Sequence, residues 1–172
     1  MDKRGQKTLN SIANAFNKLL LSKSFDAITV TDICDEALIS RKTFYTYYED
    51  KYELIDRLAT DALNELDQLS HGQEDKTSLE RITIWLTYIQ ERQELFKILF
   101  NRESSYSFKL KFQQYLQNSL KQHGDFEPKP TNLAFYVQGT FGVVEAYVNG
   151  EIKAKPAELA QELVTMIPLK AE

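Results

Sequence analysis

The amino-acid sequence predicts an all-α protein. Apolar residues recur at three- and four-residue steps through most of its 172 residues, the period of a helix. Only four Pro and six Gly interrupt the pattern. Ser, Thr and Asp stand just ahead of several apolar stretches, where helix N-caps belong. The expected architecture is an N-terminal three-helix unit with a helix-turn-helix (residues 1–50). A long helix joins it to a helical regulatory and dimerisation domain (residues 51–172). Nine Tyr, ten Phe and one Trp can fill a substantial core.

Taken in order, residues 2–7 read as a mobile charged arm in which Lys3, Arg4 and Lys7 could reach nucleic acid. The first helix is expected over about Lys7–Ser22, with Leu9, Ile12, Ala13, Phe16 and Leu20 on one apolar stripe. A short helix follows from Thr29 to about Ala37. Thr29 caps it, Asp32 can reach back in a capping box, and Ile28 and Ile33 are spaced as a hydrophobic staple. Ser40 caps the next helix, which runs to about Tyr48. So short a link between two short helices is the spacing of a helix-turn-helix.

That second helix has two faces. Phe44 and Tyr48 point one way and pack inward; Arg41, Lys42 and Tyr45 point the other, flanked by Thr43 and Tyr47. Between Ala37 and Tyr48 there are two basic residues and no acidic one. Arg, Lys, Thr and Tyr bond phosphate oxygens, and Arg can bond guanine bidentately. Two cations alone would describe an ordinary solvated face; caps, turn and aromatic cluster together point to double-stranded DNA. Residues 1–51 carry a net charge of +1 and residues 52–172 a net −5. An acidic total permits DNA binding, because the contact needs only a local basic surface.

The helix starting at Asp50 or Lys51 keeps its apolar spacing through Leu54, Leu58, Ala62, Leu66 and Leu69 to a break at Ser70–Gly72. Its twenty or so residues make a rod of about 30 Å, the natural lever between the halves. Residues 71–78 form a polar loop, and Thr77 or Ser78 caps a helix carrying Ile82, Trp85 and Ile89. Two more pieces hold Leu95–Phe100 and, after Ser104–Ser105, Phe108–Leu120; HGDFEPKP, residues 123–130, is a loop. Residues 131–149 are apolar nearly all round, with Gly139 and Gly142 suggesting close backbone approach. Gly150 ends that helix, and Pro156 opens a last one bearing Leu159, Leu163 and Ile167.

Several classes fall away. No nucleophile–base set and no phosphate-binding glycine loop points to an enzyme, so no catalytic residue or cofactor is expected. His71 and His123 have no companion at ligand spacing, so no metal is assigned. Cys34 stands alone and reads as small packing. No signal peptide or membrane span is visible, and the expected compartment is the cytoplasm.

The stretch TVTDICDEALISRKTFYTYYEDKYEL resembles the DNA-binding motif of the TetR family of transcriptional regulators, over about residues 8–58. One position departs: the residue after Ala37 is usually glycine there and is Leu38 here, where a positive φ would strain the chain by roughly 1 kcal/mol. GTFGVVEAYVNGE and the final amphipathic helix also look like the short C-terminal domain of Firmicutes-type relatives. The resemblance implies a homodimeric, non-enzymatic regulator, expected to be a repressor of an inverted-repeat operator. It implies DNA contacts from Thr29, Thr31, Arg41, Lys42, Thr43, Tyr45, Tyr47 and Lys51, with Arg41 and Lys42 reading bases and Thr29, Tyr47 and Lys51 holding phosphate. It places a dimer interface on Phe135, Gly139, Gly142, Val143, Tyr147, Leu159, Leu163 and Ile167. It allows a small apolar effector near Trp85, Phe100, Phe112, Tyr115 and Tyr136, or a protein partner in its place. The alternative from another class is a helical scaffold that binds only protein.

Overall fold

The computed structural model describes residues 3–70, 76–101, 106–127 and 129–169. Asp2, His71, Gly72 and the Ser104–Ser105 connection lie outside them. Among the described residues the fold is all-α: α1 (Lys3–Leu20), α2 (Val30–Ala37), α3 (Arg41–Tyr47), α4 (Lys51–Ser70), α5 (Ser78–Glu91), α6 (Gln93–Asn101), α7 (Tyr106–His123), α8 (Pro130–Val148) and α9 (Pro156–Met166). A 3-10 turn at Phe25–Ala27 precedes α2. No helix among these residues is long and apolar enough to cross a membrane.

The chain forms two compact units, Met1–Thr60 and Asp61–Glu172, so Lys51–Thr60 groups with the first unit and not with the second as the sequence suggested. In the first, α1 packs on α2 and α2 on α3. Ile12, Phe16, Phe25, Ile28, Ile33, Phe44 and Leu54 form its buried core. The expected arm is instead the first turn of α1. Lys, Arg and Gln are good helix formers, Thr8 Oγ1 donates to Arg4 O at 3.1 Å, and Gly5 is buried.

In the second unit α5 packs on α9, and α8 on α6 and α7. Thr77 caps α5 in a capping box with Glu80, and the Thr77 bonds hold the Glu80 carboxyl below its ordinary pKa. Gly150 turns the chain out of α8 at φ +79°, a conformation that suits glycine. Phe96, Phe100, Phe108, Phe112 and Phe141 interlock at centroid distances of 5.2–6.2 Å, mostly edge to face. Arg92 Cζ lies 4.0 Å from the centre of the Tyr88 ring and its guanidinium 3.6 Å from Glu65, tying the second half of α4 to α5.

Candidate nucleic-acid interface and cavity

The helix-turn-helix is built from local hydrogen bonds. Thr29 Oγ1 accepts from Asp32 N at 3.1 Å, and Asp32 Oδ2 accepts from both the Thr29 amide (2.9 Å) and hydroxyl (2.7 Å). Lys23 adds an ion pair to Asp32 at 2.7 Å. Lys23 first, then Thr29, hold the Asp32 carboxyl well below the usual carboxylate range. Its contribution to the fold is therefore present above the unfolded carboxylate pKa and is lost as pH falls through the folded one. Ser40 caps α3, accepting from Thr43 N at 3.0 Å, and its hydroxyl is hydrogen-bonded to that of Thr43 at 2.9 Å.

Between the helices Leu38 sits at φ 56°, ψ 44°, the left-handed region, with 91% of its surface exposed. The turn has the form that a glycine would fill without strain. Leu38→Gly is expected to stabilise the first unit by up to about 1 kcal/mol, the relief of left-handed strain less the added freedom of the unfolded chain. A higher denaturation midpoint by far-UV circular dichroism would register it. A lower one would mean that the Leu38 side chain packs more than its exposure indicates.

On α3, Phe44 and Tyr48 are buried, whereas Arg41, Lys42 and Tyr45 are exposed and Thr43 and Tyr47 half-buried. Arg41 bridges the motif. Its guanidinium donates to Thr31 Oγ1 on α2 at 3.5 Å and to Tyr45 Oη one turn along α3 at 3.3 Å. The Tyr45 bond raises the Arg41 pKa further. Both bonds are long, and a guanidinium has five N–H groups, so Arg41 is aimed while keeping donors for another ligand. Thr31, Arg41, Lys42 and Tyr45 thus stand together on one surface.

Two expected phosphate contacts are engaged elsewhere. The amide and hydroxyl protons of Thr29 both go to Asp32, so this residue serves the cap of α2. Lys51 Nζ donates to the main-chain oxygens of Phe25 (2.9 Å), Asp26 (3.0 Å) and Ile28 (2.8 Å). An ammonium has three protons, and all three point into this cage, with the Phe25 ring beneath at 4.7 Å. Lys51 fastens the start of α4 to the turn leading into α2. Nothing in the sequence could announce this, because the three oxygens are main-chain atoms 23–26 residues away.

The expected dimer residues divide in two. Phe135 is 74% exposed, Gly139 and Gly142 are exposed and Val143 is half-buried, all on α8. A methyl group added at Gly139 or Gly142 would meet nothing within 4 Å among the described residues. Tyr147, Leu159, Leu163 and Ile167 are instead buried within the protomer. For α9 the reason is that its apolar side faces α5 of the same chain.

The second unit holds a half-open cavity of about 100 Å³. Leu69, Ile82, Leu116, Leu120, Leu163 and Ile167 give it apolar walls; Ser78, Arg81, Trp85, Tyr115, His123 and Thr140 are among its polar lining. Of the expected pocket residues, Trp85 and Tyr115 line it. Phe100 and Phe112 do not, being fully buried in the aromatic cluster. Tyr136 packs on Phe126 at 4.8 Å. Periodicity named the aromatic residues but could not separate cluster from cavity, whose lining is drawn from five helices. Arg81, His123 and Thr140 carried no sequence signal.

Comparison with known proteins agrees with this architecture. Residues 12–58 match the family model of bacterial regulatory proteins of the tetR family, and residues 76–169 that of a transcriptional regulator C-terminal region. The chain is 24% identical over 171 residues to the HTH-type transcriptional regulator YxbF of Bacillus subtilis (strain 168), covering 92% of this chain and 44% of the relative. It is 30% identical over 94 residues to the HTH-type dhaKLM operon transcriptional activator DhaS of Lactococcus lactis subsp. lactis (strain IL1403), covering 54% of this chain and 49% of the relative. The chain thus spans less than half the length of the curated relatives it matches. Among solved structures it is similar in fold to a TetR transcriptional regulator from Streptococcus agalactiae 2603V (TM-score 0.67, 24% identity, 96% of both chains). A dihydroxyacetone kinase operon activator, DhaS, has the same fold (TM-score 0.69, 22% identity, 92% of this chain and 93% of that one). The helix-turn-helix of the first unit and the helices of the second each match a region of such regulators: the chain belongs to the TetR family of DNA-binding transcriptional regulators.

Proposed function

We propose that the chain is a cytoplasmic repressor that binds an inverted-repeat operator as a homodimer and is released by an effector held in its second unit. The surface of α3 carries this reading: Arg41, Lys42 and Tyr45 are exposed together on a capped helix, with Arg41 braced by Thr31 and Tyr45. The N-terminal turn of such a helix enters a major groove, where Arg41 and Lys42 read base edges and Thr31, Thr43 and Tyr47 hold the backbone.

The open face of α8 supports the dimer. Glycine inside a helix costs about 1 kcal/mol relative to alanine, and among the described residues no contact at Gly139 or Gly142 needs it. A helix of a second copy, crossing beside Phe135 and Val143, supplies the reason. Two recognition helices then meet half-sites whose centres lie about 34–36 Å apart, or a multiple of that. Helix α4, which has residues in both units, carries the effector's influence to that spacing.

Selection from a random duplex pool at fixed salt tests the reading, and enrichment of an inverted repeat is the expected result. Arg41→Ala is then expected to relax preference at one operator position by about 1–3 kcal/mol. Equal losses on operator and random DNA would remove Arg41 as a base reader. Activation is the second reading, favoured by the similarity to a relative named as a transcriptional activator. A promoter fusion decides the sign. A folded dimer that enriches no sequence would point to the protein-binding scaffold.

A further inference from the structure

Among the described residues Leu38 is the one non-glycine residue with a positive φ, 56°, and the most exposed large apolar side chain, at 91%. A single exposed leucine is ordinary. One held in the left-handed region, which glycine enters freely and leucine does not, points to a function. The turn does not ask for it. Its shape is set by main-chain bonds, from Leu38 N to Asp35 O at 3.3 Å and from Ile39 N to Cys34 O at 3.0 Å, which involve no side chain. So exposed a side chain adds little packing within the protomer.

Its place is beside the recognition surface. Arg41 starts three residues beyond Leu38, and its guanidinium reaches Thr31 near the other end of α2, so the side chain runs along that helix. Thr31, Asp35 and Leu38 follow one another at four- and three-residue steps, all exposed. Leu38 also stands two residues before the cap Ser40, within about 7 Å of it along the chain. A duplex that admits α3 to its major groove meets Leu38 at the edge of that groove. Leucine has no donor for a phosphate oxygen, and the neighbouring Asp35 repels one. The apolar group that the major groove offers is the C5-methyl of thymine.

We propose that Leu38 is a specificity-determining residue: it covers the methyl group of one thymine in each half-site, next to the bases read from α3. The proposal rests on the reading of α3 as the recognition helix given above. The strain at Leu38 is then retained for selectivity, and relieving it separates stability from recognition.

The test replaces each thymine of one operator half-site in turn by uracil, which pairs identically and lacks only the methyl group. Wild-type protein, Leu38→Gly and Leu38→Asn are titrated against these duplexes at fixed salt. Glycine and asparagine both accept the left-handed turn, so both variants keep the fold, and the unfolding midpoint of each checks it. The wild type is expected to lose about fourfold in affinity at one thymine position, the worth of one buried methyl group. Both variants are expected to bind thymine and uracil equally there, to select operators without a preference at that position, and to keep wild-type affinity for random DNA. An equal loss in the wild type and the variants, or no thymine whose methyl matters to the wild type, would overturn the role of Leu38 alone. Unchanged selection by both variants with altered promoter activity would also overturn it, and move Leu38 to a protein-binding surface. A folded wild type that selects no sequence would overturn the recognition-helix reading and the proposal with it.

Discussion

Phe44→Ala is expected to abolish operator binding by unfolding the recognition helix. Phe44 is fully buried and packs against Tyr45 and Tyr48 at centroid distances of 5.6 and 5.5 Å. Truncating such a side chain costs about 3–5 kcal/mol, the lost transfer energy plus the cavity left behind. Helix α3 has only seven residues, far below the roughly 12–15 at which an isolated helix becomes even marginal in water. Its shape therefore depends on this one anchor more than on propensity. The second unit has its own aromatic core, so it should stay folded, with unchanged Trp85 emission and unchanged oligomeric state. Hydrogen exchange separates the two effects: amides of α2 and α3 lose protection while those of α5 and α8 keep it. Retained protection in α3 would show that the capping bonds of Ser40 and Thr29 suffice without the anchor.

Lys51→Met is the second large effect expected, about 2–4 kcal/mol of stability in the first unit. Methionine keeps the stem and removes the three donors, leaving the carbonyls of Phe25, Asp26 and Ile28 without the ammonium. Two of those bonds are part-buried, so water replaces them only partly. DNA affinity should fall because the start of α4 no longer holds the turn before α2. Salt dependence distinguishes this positioning role from the phosphate contact implied by the family resemblance. A lost phosphate contact lowers the steepness of log K against log salt by about 0.9, whereas loss of a positioning residue leaves the slope unchanged. The Lys51 cage predicts an unchanged slope, a lower operator affinity and nearly constant affinity for random DNA. Lys51→Arg should rescue little, since a planar guanidinium does not fit three oxygens gathered around a point charge. A slope reduced by one contact would return Lys51 to the phosphate backbone.

The contrast between Thr29 and Lys51 shows where a sequence is legible. The partner of Thr29 lies three residues away, so the capping box with Asp32 could be read as a pattern, and the same holds for Thr77 with Glu80. Helix existence, the two faces of α3 and the staple of Ile28 and Ile33 are equally local. Lys51 has partners more than twenty residues off, and they are main-chain atoms that leave no mark in composition. Leu38 stands between the two cases. Resemblance flagged the position, and the structure supplies the left-handed φ of 56°.

By itself the sequence determined that the chain is helical, where most helices start, and which side of each is apolar, because those properties depend on neighbours within about one turn. It could not say what covers an apolar side. Leu159, Leu163 and Ile167 have the period of an interface, yet they are buried against their own chain, while Gly139 and Gly142 lie open. Phe100 and Phe112 looked like pocket walls and are core, while Thr140 looked like nothing and lines the cavity. A hydrophobic face is satisfied by any apolar surface of suitable shape, since the driving force is non-directional. Which surface meets it is decided only when all the helices are packed together.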